Sequence, residues 1–346
     1  MSEQREDLAQ ETVSGPPGEA PARGGTASRR GLLGAALLAA AAPGAVRAAG
    51  YPDHPIRLVV AFPPGGITDL CARVVAQRMG AILGQPVVVE NRSGGGGRIG
   101  AELVARAPRD GYTLLFADSN THGTLSTIAR DLPFDPMRDF APIGPVADFP
   151  NMLVCNPRLP FRTLPEMIAQ LRRQPGSVRR ASSGPGTGNH FAGELFDELA
   201  GVRTEHVPYR GAAPAVQDVI SGTIECAFTG AAYPQVTAGE VRAIATTGAT
   251  RDPRIPDVPT MAEGGVAGYD MSFWHGMAAP AGTPAEVLAV LGGALRRALE
   301  DPGVRDRLYE IGLNLHPGGP EELAAMMRRD IARYREIADK AGLRFD

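Results

Sequence analysis

From residue 55 onward, short apolar runs alternate with stretches in which apolar residues recur every three or four positions. That order of strand, helix and strand builds an α/β sheet. The pattern predicts strands over 56–62, 86–90 and 112–118, separated by helices over 68–83 and 98–106. A second series repeats the alternation, with strands over 152–155, 178–182, 205–207, 224–229 and 241–246 and helices over 164–173, 189–199 and 214–221. After residue 280 the pattern is wholly helical, over 284–299, 302–311 and 320–340, and each of these helices starts near a proline, as a first helical turn tolerates. Proline-rich joints, "DLPFDPMRDFAPIGP" and "RDPRIPDVPT", flank the second series. Two series imply two lobes, 49–148 with 271–346 and 149–270, and a hinge made by two crossings of the chain.

The first 48 residues do not fit this scheme. Residues 1–28 are rich in Gly, Pro, Ala, Glu and Ser and carry too little apolar surface to offset the entropy of ordering. "SRRGLLGAALLAAAAPGAVRAAG" follows: Arg29 and Arg30 precede an apolar run from Leu32 to Ala42, and Val46-Arg47-Ala48 is a small-residue cleavage motif. The run falls short of the roughly 20 residues that cross a bilayer. A twin-arginine signal peptide cleaved after Ala48, and a periplasmic mature protein, are therefore expected, although Gly31 departs from the usual pattern after the arginines.

Removing that segment takes away five basic and five acidic residues, so the net charge of −3 is unchanged. Nucleic acid, which calls for a basic face, is excluded as a partner. About 300 residues remain, enough for two cores. Cys71, Cys155 and Cys226 lie far apart among apolar neighbours. One disulfide with one thiol left over remains open, but three buried thiols acting as small hydrophobes is the preferred reading. The six scattered histidines give no ligand-spaced cluster, so neither metal nor cofactor is expected.

Two corners carry chemistry. In "AFPPGGITDL" the chain leaves a strand and wraps the start of a helix, where unpaired amides and the helix dipole attract an anion. Gly65 and Gly66 allow a carboxylate to approach the backbone, Pro63 and Pro64 stiffen the loop, and Thr68 caps the helix or bonds the ligand. Asp69 reads as a brace in the first turn rather than a catalytic acid. "RASSGPGTGNHF" repeats the geometry, with Ser182 and Ser183 ending a strand, Gly184 to Gly188 forming a flexible loop, and Asn189 or His190 opening a helix. Two such corners facing across a cleft suit a small molecule with carboxylate groups.

These stretches, with "HVPYRGAAPAVQDVISG", "VRAIATTGATRDPRIPDVPTMAEGG" and "FWHGMAAPAGTP", resemble the Bug-type receptors of tripartite tricarboxylate transporters over essentially residues 51–340. The resemblance implies a two-lobed, type II-like periplasmic-binding-protein (venus-flytrap) fold and a monomer, with a small organic carboxylate between the lobes and transient contact with membrane transporter subunits. It implies a ligand site built from Phe62, Pro64, Gly65, Gly66, Thr68 and Asp69 in the first loop. From the second come Ser182, Ser183, Gly186, Thr187, Asn189 and His190. Lining positions fall at Ser119, His122, Tyr209, Thr229 and Trp274. Thr229 stands where relatives often carry an aspartate that would meet an amino group, which makes an amino-acid ligand less expected.

Two enzyme readings compete. "GGGRIG" at 95–100 fits a dinucleotide fingerprint with Asp118 downstream, but four residues separate its first glycine from the strand ending at Glu90. Ser183 and His190 are near in sequence, but no G-x-S-x-G elbow surrounds the serine. A receptor without catalysis is the expectation.

Overall fold

The computed structural model describes residues 50–129 and 131–340, so the signal-peptide reading of residues 1–48 lies outside the described residues. The chain runs β1 (Ile56–Val60), α1 (Ile67–Leu83), β2 (Val87–Asn91), α2 (Arg98–Ala105), β3 (Thr113–Asp118), α3 (Leu125–Ile128), β4 (Phe140–Pro150) and β5 (Met152–Cys155). It continues through α4 (Leu164–Arg173), β6 (Arg179–Ser182), α5 (Gly188–Ala200), β7 (Glu205–Pro208), α6 (Ala212–Ser221), β8 (Cys226–Thr229), α7 (Tyr233–Thr237) and β9 (Arg242–Thr246). It closes with β10 (Ser272–Pro280), α8 (Ala285–Leu299), α9 (Pro302–Glu310), β11 (Asn314–Leu315) and α10 (Pro320–Lys340).

Two sheets result, a six-stranded one in the order β11-β4-β10-β3-β1-β2 and a five-stranded one in the order β7-β6-β8-β5-β9. In each, the strands next to the site run parallel: β1 pairs with β2 and β3, and β6 with β7 and β8. Parallel strands need helical crossovers, and those helices cover the apolar strand faces. Leu58 and Phe116 pack with Val75 and Met79 of α1, whereas Val59 and Leu115 face Ala101 and Val104 of α2. Each of these Val, Leu, Phe and Met side chains contributes about 1.5–3 kcal/mol when fully buried.

The chain leaves the first sheet at Pro150, enters the second at Met152, and returns at Ser272. The crossings are stitched together: Asn151 and Thr247 exchange backbone and hydroxyl bonds at 2.9 Å, and Thr247 donates its hydroxyl to Met271 O at 2.6 Å. All three cysteines are buried free thiols, with Cys155 opposite Cys226 across the β5–β8 pair.

Two long strands were not anticipated by the periodicity. β4 includes Pro142, Pro145 and Pro150, which read as a joint because proline donates nothing to a ladder. It is accommodated because its partner β10 shifts register between His275 and Gly276 and again between Met277 and Ala278, and because the short β11 pairs with it only at Asp148 and Ala147. Among the described residues no helix is long and apolar enough to cross a membrane.

Candidate functional site

A cavity of about 80 Å³ lies where the carboxyl ends of the parallel strands of both sheets meet, the edge at which open α/β sheets hold ligands. Space on this scale takes roughly five to eight waters, or one small organic acid. The loops across it touch: a Cβ on Gly65 would lie 3.6 Å from Cβ of Ala213, and one on Gly211 would lie 3.2 Å from Pro63.

Three helices begin on this cavity. The first turn-closing bond of α1 runs from Leu70 N–H to Gly66 O (3.0 Å), so the amides of Gly66, Ile67 and Thr68 precede its helical ladder. In α5 the corresponding bond runs from Phe191 N–H to Thr187 O (3.0 Å), and the Thr187 hydroxyl receives the His190 amide, which leaves Gly188 and Asn189 at the wall. Helix α6 starts at Ala212 behind Gly211, also on the wall, with no side chain capping it. All three dipoles therefore present their positive ends to one space. Among the described residues no Lys or Arg lines it. His275 does, but burial pushes its imidazole down to about 3, so it is neutral.

Side chains complete the wall. Thr68 Oγ1 and His275 Nε2 lie 3.1 Å apart. Asn151, at the crossing, donates to Asn189 Oδ1 (2.9 Å), and Asn189 donates to Ser183 Oγ (2.6 Å), a chain that ties hinge to loop. Phe62, Phe149 and Phe273 form the apolar part, and Asp118, Ser119, Asn120 and Thr229 the rest of the polar part.

Of the positions singled out from sequence, Phe62, Gly66, Thr68, Ser119, Ser183, Thr187, Asn189 and Thr229 come together on this wall. The others do not. Pro64 and Gly65 are exposed on the outer side of their loop, and the Gly65 amide is spent on Asp69 Oδ2 (3.0 Å). Asp69 is a buried brace. Burial opposes its charge, yet Arg73, the Gly65 amide and Asn91 together hold its carboxyl below the usual range.

Ser182 bonds His206 Nε2 (2.7 Å) and the Gly184 backbone beneath the second loop, and Gly186 donates to His190 Nδ1 (3.2 Å). His190 stacks on His206 with centroids 3.8 Å apart and lies 3.3 Å from Glu194, so it supports the loop from behind. Tyr209 is turned to Asp218 (2.6 Å). His122 is fully buried against Phe140 and Trp274, and burial pushes its imidazole down to about 3. Trp274 sends its indole N–H to Asp330. Strand alternation explains this last displacement, since the wall receives Phe273 and His275, on either side of Trp274 in β10.

The dinucleotide-like glycines serve a different purpose. Gly94 through Gly97 all have positive φ, and Gly96 approaches the other lobe so closely that a Cβ there would lie 3.3 Å from Gly186 O. Asn120 donates its amide to Gly96 O. The run is a contact between loops.

Two sheets joined by paired crossings, with one cavity at their facing edges, define a two-lobed periplasmic binding protein. The model of the tripartite tricarboxylate transporter family receptor matches residues 71–343, and the chain belongs to that family. It is 36% identical over 313 residues to a protein from the tcbD-tcbE intergenic region of Pseudomonas sp. strain P51, covering 89% of this chain and 93% of the relative. It is 33% identical over 314 residues to BugT of Bordetella pertussis, covering 90% and 96%. Among solved structures, Rpa4515 of R. palustris with adipate superposes with a TM-score of 0.81 at 35% identity, covering 84% of this chain and 98% of that one. MatC of Rhodopseudomonas palustris with bound malate gives 0.79 at 32% identity, covering 83% and 99%.

Proposed function

We propose that the protein is an exported receptor that closes its two lobes, 49–148 with 271–346 and 149–270, around one small organic carboxylate and delivers it to membrane subunits of a tripartite tricarboxylate-type transporter. The observation that carries this reading is the convergence of three helix starts on one small cavity that, among the described residues, no cationic side chain lines. Amides fixed in a largely buried space bind an anion without the reorganisation that a flexible lysine would need. Two similar structures hold small dicarboxylates, adipate and malate. One chain completes the site, which suits a monomer.

Catalysis has little support in the geometry. Ser183 accepts from Asn189 rather than facing a base, and the serine that does meet a histidine, Ser182, is buried below the loop. Isothermal titration against di- and tricarboxylates and aromatic acids, with mass analysis of each acid afterwards, tests the reading. A saturable heat with every acid recovered intact is expected; an acid returned chemically altered would sink it.

Gly66→Val is expected to weaken binding at least tenfold while the fold persists. Gly66 has φ −80° and ψ 165°, which any residue adopts, and a Cβ there meets no protein atom nearer than Pro63 O at 3.9 Å. The added branch is therefore tolerated by the protein and felt on the wall; unchanged affinity in titration would remove the first loop from the site. Deleting Arg29 and Arg30 is expected to hold the precursor in the cytoplasm, read by fractionation and blotting, and continued export would refute the twin-arginine assignment.

A further inference from the structure

We infer that Asp118 and Asn120 form an acceptor subsite in the cavity, so that the ligand is a carboxylate carrying a hydrogen-bond donor, a hydroxyl or ammonium group. The inference rests on the carboxylate reading above and names the second feature of the ligand.

The helix starts supply donors, as a carboxylate requires, but this part of the wall supplies acceptors. Asp118 ends β3 and is 5% exposed, and it has no ion-pair partner among the described residues. Its Oδ1 accepts the Thr121 amide at 2.8 Å. Beside it, Asn120 spends its amide on Gly96 O, which fixes the orientation of the side chain, and its buried Oδ1 has no donor in the protein. Two neighbouring wall residues thus bring side-chain acceptors to this part of the cavity.

The bland explanation is that Asp118 only closes the turn at Thr121. The Thr121 and Asn120 groups donate to this carboxylate, and an asparagine side-chain oxygen can accept from them as well. The negative charge is surplus to that task, and burying a charge without a partner is costly. Hydrogen bonds from Thr121 and Asn120 favour the charged form, but among the described residues no cation faces Asp118. His275, its cross-strand partner on β10, and His122, on the following turn, are neutral; Tyr334 of α10 also remains neutral, and Asp330 of the same helix is another acid. Burial accordingly raises the Asp118 carboxyl to about 6, still mostly ionised at pH 7.5. A ligand hydroxyl or ammonium would satisfy it, whereas a ligand with carboxylates alone would set like charges together in a small cavity.

The test compares wild type with Asp118→Asn, which keeps the acceptor for Thr121 and removes the charge. Titrations at pH 7.5 use two matched series, succinate with malate and aspartate, and glutarate with 2-hydroxyglutarate and glutamate. Wild type is expected to prefer a donor-bearing member over the donor-free acid of its series by at least tenfold, about 1.4 kcal/mol. The variant is expected to lose that preference, and Asp118→Ser serves if the asparagine variant does not fold. The same preference in the variant, or no preference in wild type, overturns the inference and leaves the carboxylate reading standing. No heat from any of the six acids with wild type also overturns the inference, and the carboxylate reading falls with it only if the tricarboxylates and aromatic acids of the wider titration give no heat either.

Discussion

Asn189→Asp is expected to weaken carboxylate binding by two to three orders of magnitude while leaving the protein at least as stable. Asn189 is the second residue of α5, where a negative side chain favours the helix by about 0.3–1 kcal/mol. The same side chain is on the cavity wall, between Asn151 and Ser183. A ligand carboxylate at about 4 Å from a new carboxylate would meet a repulsion of about 4 kcal/mol at an effective dielectric of 20. Among the described residues no cation on the wall is available to absorb it. Opposite signs in the two measurements separate the site from the fold: thermal unfolding of the empty protein should hold or rise, and titration should show the loss. Equal loss of both would mean that the variant only disturbs the loop.

Most of the scaffold was legible because its signals are local. Alternation of short apolar runs with helical periods located the strands beside the site to within a few residues, and the glycine-rich corners marked the starts of α1 and α5. β4 and β10 were hidden because one carries three prolines and the other lies between a proline-rich joint and a helical tail; their pairing depends on register shifts that only the assembled sheet reveals.

The site was legible for the same reason, and only to the same depth. Helix starts can be read from sequence, and Gly66, Thr68, Thr187 and Asn189, singled out there, lie together on the cavity wall. The third start, at Gly211 and Ala212, has no glycine run to announce it. Side-chain direction was the weaker inference. Strand period two would have pointed to Phe273 and His275 together, had β10 been recognised as a strand, and His190, Tyr209 and Trp274 are committed to Glu194, Asp218 and Asp330. Asp118, read only as the distant acid of a false dinucleotide motif, is on the wall because β3 ends there.

Gly193→Ala is expected to cost about 3–5 kcal/mol of stability, roughly 5 to 15 °C in melting temperature, without touching the cavity. Arg180 is fully buried beneath α5, where it donates to Glu194 (2.7 Å) and Thr204 (2.9 Å) and approaches Asp197 (4.0 Å). A Cβ on Gly193 would lie 1.8 Å from its Nη1 and 2.1 Å from Cζ, so the guanidinium must leave its place. Its carboxylate partners would then be left uncompensated, a heavier penalty than the lost contact alone. The pH dependence identifies the cause. Hydrogen bonding from His190, followed by the Arg180 charge, holds the Glu194 carboxyl down at about 2 against the opposing effect of burial. A depressed acid stabilises the fold above its unfolded pKa of about 4.5, and that contribution is lost as pH falls towards 2. The gap in melting temperature between wild type and Gly193→Ala should therefore be widest near pH 7 and narrow below about pH 4. A gap that stays constant with pH would assign the whole cost to steric overlap, and the absence of any gap would mean that Arg180 does not pack against Gly193.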